Sequence, residues 1–173
     1  LNGANTEATL LDRLAKALDA KDGGTVVVIR DGFQIAGAGT LKMSEGLPED
    51  DRNDSTRQRY ACNILRVVPQ LRYSLDNENA IDLVFFINGI PVATVELKTD
   101  FTQSVWAAVR QYQQDRNPRR KAGGQEPLLT FKRGAVVHFA MSDSLIYMAT
   151  KLAGDSPFFL PFNRGNDGAA GNP

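Results

Sequence analysis

The chain is poor in the residues that most often build thiolate metal sites and histidine-based catalytic centres. Of its 173 residues, one is a cysteine, Cys62, and one is a histidine, His138. A single cysteine excludes an internal disulfide framework and any multi-cysteine zinc site. We expect Cys62 to be buried in a helix, as free cysteines commonly are, and His138, within an apolar segment, to be structural.

Long apolar runs and an excess of charge of one sign are also absent. No uninterrupted apolar segment approaches the ~20 residues that would cross a bilayer, and there is no signal peptide, so we expect a cytoplasmic protein without a membrane partner. The 20 basic and 20 acidic residues cancel, which neither requires nor excludes nucleic acid, because a local basic patch is enough. The start at Leu1 and the Gly-, Asn- and Ala-rich end suggest a piece of a longer polypeptide.

Apolar periodicity, β-branched runs and turn residues predict an alternation of helices and strands. Thr6 is the expected N-cap of the first helix, Asp31-Gly32 an expected hairpin turn, and Pro69 the mark of an edge strand or a bulge. The order indicates an α/β or α+β fold with a mixed β-sheet flanked by helices. The predicted helices cover residues 6–18, 56–65 and 104–115, the strands 25–30, 66–74, 81–87, 91–97, 135–140 and 145–148, and the loops 44–54 and 117–126.

The two central strands, joined at Asn88-Gly89, carry the charged residues Asp82, Glu96 and Lys98. Charge within apolar strands costs free energy unless it is paired or bound to a metal. A regular two-residue turn would place Asp82 and Glu96 on opposite faces, whereas a three-residue turn or one bulge would pair them. Only the second register leaves the other face wholly apolar. We therefore predict that the two carboxylates share a face. Pro91 cannot donate to a ladder and is common near a bulge or at the start of a strand.

These three residues match what metal-assisted phosphodiester hydrolysis requires. Mg²⁺ prefers oxygen ligands and keeps several waters, so Asp82, Glu96 and the Leu97 carbonyl are candidate ligands. Bound there, Mg²⁺ would polarise a phosphate and lower the pKa of an attacking water. Lys98, two residues after Glu96, lies on the same face and could orient that water or stabilise developing charge. The alternative is a half-exposed hairpin whose Glu96 and Lys98 are only solvated or paired.

Asp82, followed after thirteen residues by Glu96-Leu97-Lys98, resembles the PD-(D/E)xK nuclease motif. The segment IDLVFFINGIPVATVELK closely resembles the N-terminal nuclease region of type I restriction enzyme R subunits. The segments QYQQDRNP, VVHFAMSD and FFLPFNRGNDGAAGNP resemble it as well. The resemblance runs from about Arg57 to Pro173 and implies a restriction-endonuclease-like core with Mg²⁺ as its cofactor.

The resemblance also implies a setting for the chain. R subunits act with modification (methyltransferase) and specificity subunits, translocate DNA with ATP, and cleave unmodified double-stranded DNA. The chain has no GxxxxGK[ST] loop, so ATP would belong to the full-length subunit only. The DNA recognition sequence would belong to the specificity subunit. We expect residues 1–56 to be part of the same domain, 57–154 to form the nuclease core and 155–173 to be a linker toward a motor domain.

Further site residues follow from the same resemblance. Family members often carry Gln-x-x-x-Tyr on the next helix; Gln111 matches the Gln and is a catalytic candidate, but Asp115 stands at the Tyr position, with Tyr112 nearby. A basic cluster just after this helix is a candidate for contacts to the DNA backbone. The DNA-binding candidates are Arg116, Arg119, Arg120, Lys121 and Tyr112.

Two other functions remain open at this point. One is another PD-(D/E)xK nuclease, such as a resolvase or a repair enzyme. The other is a nuclease-like fold that only docks or binds DNA. Metal binding separates both nuclease functions from the docking module, and dependence of cleavage on ATP-driven translocation separates the restriction enzyme from the other nucleases.

Overall fold

The computed structural model of the protein describes residues 6–50, 52–74, 76–152 and 157–163. The described residues form helices, a two-stranded sheet and a six-stranded mixed sheet, which confirms the predicted α+β class. The chain divides into two compact units, one of residues 1–66 with 86–90 and the other of residues 67–85 with 91–173. No helix among the described residues has both the length and the apolarity to span a membrane.

The first unit is built on an amphipathic helix, α1 (Thr6–Asp19), that lies where the periodicity predicts it. Its apolar face packs on a small buried cluster that follows it in the chain. The cluster consists of Val28, Phe33 and Ile35, against which Leu10, Leu14, Ala17, Leu18 and Met43 pack. Strands β1 (Phe33–Ile35) and β2 (Gly39–Leu41) form the antiparallel hairpin of this unit.

The predicted strand at residues 25–30 is wrong, because these residues form helix α2 (Thr25–Asp31). The β-branched run favours a strand locally, but as a helix it places Thr25 and Val28 on one buried face, and burial outweighs propensity. Gly32 ends the helix with φ 77 and donates its N–H to the Val28 carbonyl at 3.0 Å. A Cβ at Gly32 would lie 2.2 Å from the Leu41 carbonyl oxygen, so this close approach requires glycine. The hairpin partner of the strand that begins at Phe33 is β2, not residues 25–30.

Helix α3 (Asp54–Ala61) is shorter than predicted and starts earlier. Its N-cap is Asn53, whose side-chain oxygen accepts the Thr56 N–H at 3.2 Å, the role that Asn favours at a helix start. Cys62 is the C-cap and is exposed, so the expectation that it is buried in the helix is wrong.

The six-stranded sheet has the order β3-β4-β5-β6-β7-β8. Strand β6 runs parallel to β5, while β7 is antiparallel to β6 and β8 to β7. Strand β3 lies at an edge, as Pro69 predicts, and Gln70 beside it has φ 49. The strands are β3 (Leu65–Arg72), β4 (Ala80–Ile87), β5 (Ile90–Leu97), β6 (Val137–Met141), β7 (Ile146–Ala149) and β8 (Leu160–Pro161).

The turn between β4 and β5 has two residues, Asn88 and Gly89, with φ 49 and 85, so the three-residue alternative is wrong. A regular two-residue hairpin would point the backbone polar groups of Val92 at β4. The Val92 carbonyl instead accepts the Val136 N–H at 3.0 Å, on the β6 side. One extra residue therefore lies near Pro91, and the count along the two strands then places Asp82 opposite Glu96.

Helix α4 (Val105–Gln114) follows Ser104 and ends before Pro118, close to the predicted bounds. It packs on β6 and β7 through one buried face, made of Val105, Ala108, Val109 and Tyr112. Beneath it, the Thr94 hydroxyl lies 2.8 Å from the Tyr112 hydroxyl and 2.7 Å from His138 Nδ1. Burial lowers the pKa of His138 to about 4, so this residue is a neutral structural histidine, as predicted.

Within the predicted linker, residues 155–173, the short strand Leu160–Pro161 joins the sheet. Strand β8 pairs with β7, and the Asn163 side chain accepts the Ile146 N–H at 2.5 Å and donates to the Ser144 carbonyl at 3.0 Å. Residues 155–156 and 164–173 of the predicted linker lie outside the described residues. The remaining division into residues 1–56 and 57–154 stays a prediction.

Candidate metal centre

Asp82 and Glu96 meet where β4 begins and β5 ends. Asp82 is the third residue of β4 and is half-buried, whereas Glu96 is the last but one of β5 and is fully buried. The Asp82 carboxylate is near enough to raise the pKa of Glu96, although no hydrogen bond joins the two side chains among the described residues. The bulge in β5 makes this possible, because without it the two side chains would point to opposite faces.

Both carboxylate oxygens of Asp82 accept hydrogen bonds from neighbouring strands. The Leu97 N–H donates to Oδ2 at 2.8 Å, and Gln70 Nε2 donates to Oδ1 at 2.9 Å. The Lys98 N–H points to β6, where it donates to the Met141 carbonyl at 2.9 Å. The Leu97 N–H and carbonyl therefore point to β4, where the Asp82 side chain accepts the N–H. Gln70 reaches Asp82 from a left-handed backbone conformation that non-glycine residues seldom adopt.

Glu96 is paired through one oxygen only. Arg116 Nε donates to Glu96 Oε1 at 2.7 Å, and the other end of the guanidinium donates to the Ala80 carbonyl at 2.8 Å. The two side chains are 5% and 0% exposed. Glu96 Oε2 is buried as well and has no hydrogen-bond partner among the described residues. A buried oxygen left in this state costs about 1–3 kcal/mol, so a ligand at Oε2 would remove a standing cost.

The raised pKa of Glu96 also favours a ligand at its carboxyl group. Burial raises the pKa of Glu96 to about 7, and the hydrogen bond and charge of Arg116 lower it without fully compensating. The neighbouring Asp82 carboxylate raises it further. Two carboxyl groups this close favour a shared proton or a shared cation between them. Perturbed acid pairs of this kind are typical of functional sites.

The donor set fits Mg²⁺ better than a softer or more demanding metal. Asp82 and Glu96 supply hard anionic oxygens, and the Leu97 carbonyl points to the same side. No group of three or more His, Cys, Asp and Glu that could hold a metal occurs among the described residues, so a zinc-type cage is not formed there. Mg²⁺ is commonly held by one or two carboxylates with several waters retained. Glu96 Oε2, which has no hydrogen-bond partner among the described residues, is free to act as a ligand of such an ion.

The predicted catalytic residues beyond the carboxylates lie near the same strand and helix. Lys98 follows β5 directly and is partly exposed, and Gln111 lies half-buried on α4. Among the described residues, no hydrogen bond or ion pair joins either side chain to Asp82 or Glu96. Tyr112 is fully buried against Thr94, so its predicted role in DNA binding is wrong and it supports the strand that carries Glu96.

The basic cluster divides into buried and exposed members. Arg116 is buried on Glu96, so its predicted role as a contact to the DNA backbone is wrong. Arg120 is partly buried and pairs with Asp76, whereas Arg119 and Lys121 are exposed. Arg119, Arg120 and Lys121 all line a cavity of about 610 Å³. These three residues therefore remain the candidates for phosphate contacts.

Sequence reasoning misses two residues of the centre. Gln70 carries no motif, and its neighbour Pro69 signals only an irregular edge strand. Arg116 stands out in the sequence but is grouped there with the exposed cations that follow it. Arg116 lies two residues beyond the last residue of α4, so no helical spacing indicates that it is buried.

One comparison with known proteins gave a match. A family model described as the N terminus of the type I restriction enzyme R protein matches residues 3–156. Neither the curated proteins nor the solved structures gave a significant match. The match spans α1 through β7 and contains Asp82, Glu96, Lys98 and Arg116.

Proposed function

Because this chain belongs to the family of type I restriction enzyme R protein N termini, we propose that it is the Mg²⁺-dependent endonuclease domain of such a subunit. Family membership places it in a multi-subunit restriction system, and a nuclease is the activity that this region suggests. The further claim is that Asp82, Glu96 and Lys98 hydrolyse phosphodiester bonds of unmodified double-stranded DNA. The observation that carries it is the pairing of half-buried Asp82 with buried Glu96, whose Oε2 has no hydrogen-bond partner among the described residues.

The two carboxylates and the Leu97 carbonyl would hold Mg²⁺, which supplies polarisation of the scissile phosphate and a lower pKa for an attacking water. Asp82 is fixed for this by donors on both oxygens, from Gln70 and Leu97. Glu96 presents Oε2 from a site that excludes water, where charge interactions are strong. Such a preorganised pair needs little rearrangement when the substrate arrives.

Lys98 is proposed to act on the phosphate rather than on the metal ligands. It stands two residues after Glu96 and is partly exposed, so its ammonium group can extend toward a bound strand. There it would orient the attacking water or stabilise the negative charge that develops on the phosphorus oxygens. Gln111, half-buried on α4, is proposed to orient the phosphate or the Lys98 side chain.

DNA would be held by its backbone, without sequence readout by this chain. Arg119, Arg120 and Lys121 carry the positive charge that phosphate contacts require. Recognition and translocation are proposed to belong to partners: the specificity and modification subunits, and the ATP-dependent motor of the full-length R subunit. This division explains why a small nuclease unit needs no base-reading groove.

The proposal is tested with the full-length subunit reconstituted with its modification and specificity subunits on unmodified plasmid DNA. Cleavage is expected to require both Mg²⁺ and ATP and to stop when EDTA removes the metal. Methylated plasmid is the matched control and should remain intact. Cleavage without ATP would favour another PD-(D/E)xK nuclease, and the absence of cleavage under every condition would favour a non-catalytic docking module.

A further inference from the structure

Arg116 and Glu96 form an ion pair in which the two oxygens of one carboxylate have different surroundings. Arg116 Nε takes Oε1 at 2.7 Å, and Oε2 stays buried with no partner among the described residues. A guanidinium can bind both oxygens of a carboxylate side by side, but here its second donor turns away to the Ala80 carbonyl at 2.8 Å. The Arg116 guanidinium therefore makes no hydrogen bond to Oε2, the oxygen proposed to bind the metal.

Arg116 is held in this orientation from three sides. Ala80 begins β4, Glu96 lies at the end of β5, and the Tyr73 ring lies 6.0 Å from the guanidinium carbon, within the range of a cation–π contact. With 5% of its side chain exposed, Arg116 cannot swing out to a DNA phosphate without leaving a buried carboxylate unpaired. Its contacts join the first residue of β4 to the end of β5, the two strands that carry Asp82 and Glu96.

We propose that Arg116 is the positioning residue of the metal centre. Arg116 binds Oε1 of Glu96 and thereby leaves Oε2 available to the cation. The inference rests on the proposed metal site and assigns Arg116 to that site instead of to the DNA surface. Partners that orient a metal ligand in this way commonly change metal affinity about 10- to 100-fold when they are lost.

Metal binding without DNA or turnover tests the role directly. Mn²⁺ is titrated into the protein, and the free ion is measured by electron paramagnetic resonance. Arg116→Met is expected to weaken Mn²⁺ binding by about 10- to 100-fold. Arg116→Lys should fall between it and the parent, because a lysine keeps the charge but cannot reach both Glu96 and Ala80. The exposed Arg110 on α4 provides the matched control, Arg110→Met, which should bind as the parent does.

A second readout separates positioning from phosphate contact. The salt dependence of DNA binding should be unchanged in Arg116→Met, whereas Arg119→Met should reduce the slope by about one ion per lost contact. Parental Mn²⁺ affinity in a folded Arg116→Met protein overturns the inference. If that variant does not fold, parental affinity in Arg116→Lys overturns it instead.

The failure of this inference can be told from the failure of the proposed function. If the parent binds Mn²⁺, Asp82→Ala does not, and Arg116→Met binds normally, only the role of Arg116 falls. If the parent does not bind Mn²⁺, or Asp82→Ala binds it equally well, the metal centre itself is wrong and both proposals fall together.

Discussion

Replacing Asp82 with alanine is expected to lower DNA cleavage by more than about 100-fold. Loss of a residue that only hydrogen-bonds to a metal ligand already lowers metal affinity or activity by about 10- to 100-fold. The Asp82 side chain accepts hydrogen bonds from Gln70 and the Leu97 N–H, and it raises the pKa of Glu96. Its removal takes away one metal ligand and opens the junction of β4 and β5. ATP hydrolysis by the reconstituted complex should continue at the parental rate, since this chain has no phosphate-binding loop for ATP.

Cleavage of plasmid DNA and release of phosphate from ATP are therefore followed in the same reaction. The matched control is Asp12→Ala on α1, which removes only an exposed ion pair with Lys16, a contact of little energetic consequence. It should cleave as the parent does. Parental cleavage by Asp82→Ala would show that the hairpin is structural and that the nuclease centre lies elsewhere.

The second large effect concerns stability against pH in metal-free solution. Burial raises the pKa of Glu96 from 4.5 to about 7, so the folded protein binds a proton that the unfolded chain has already released. This contribution to stability is full below pH 4.5 and is lost as the pH rises to 7. At about 1.4 kcal/mol per pKa unit, it amounts to about 3 kcal/mol.

His138 acts in the opposite direction over nearly the same range. Burial lowers its pKa from 6.5 to about 4, so its contribution is full above pH 6.5 and is lost as the pH falls to 4. The two buried groups therefore offset each other between pH 4.5 and 6.5, and the parent should change little in stability there. Neither effect alone would be visible in the parent protein.

Glu96→Gln removes the contribution of Glu96, so the effect of His138 on the pH dependence of stability should become measurable. In that variant the free energy of unfolding should rise by about 3 kcal/mol between pH 4 and 6.5, as measured by chemical denaturation in EDTA. The slope is the quantity to compare, because the amide also leaves Arg116 without a counter-charge at every pH. The exposed Glu49 serves as a control, and Glu49→Gln should keep the flat parental profile. Equal profiles for Glu96→Gln and the parent would contradict the buried, protonated state of Glu96.

The hairpin could be predicted from sequence because its signals agree with one another. Asn88-Gly89 specifies the turn, Pro91 marks the bulge, and the apolar alternation selects the face that carries Asp82 and Glu96. Each signal is local, and each limits the same few backbone conformations. The amino-acid sequence alone is therefore enough to place the two carboxylates on one face of the hairpin.

The elements that failed depend on distant partners. Residues 25–30 have strand propensity, but burial of Val28 against α1 and β1 accompanies their folding as a helix. Arg116 resembles its exposed neighbours in sequence, and only its place after α4 and beside β4 and β5 makes it a buried partner of Glu96. Gln70 reaches Asp82 across a strand pair through an unusual backbone angle. Such tertiary contacts leave no periodic trace along the chain.

If Asp82 and Glu96 form one cation site, diffraction from crystals grown with Mn²⁺ should locate the ion between them. Data collected at the manganese absorption edge should show an anomalous peak between the Asp82 carboxylate and Glu96 Oε2, on the side of the Leu97 carbonyl. The peak should be absent from crystals of Asp82→Ala. A Mn²⁺ ion bound elsewhere, or the two carboxylates on opposite faces of the sheet, would contradict the account.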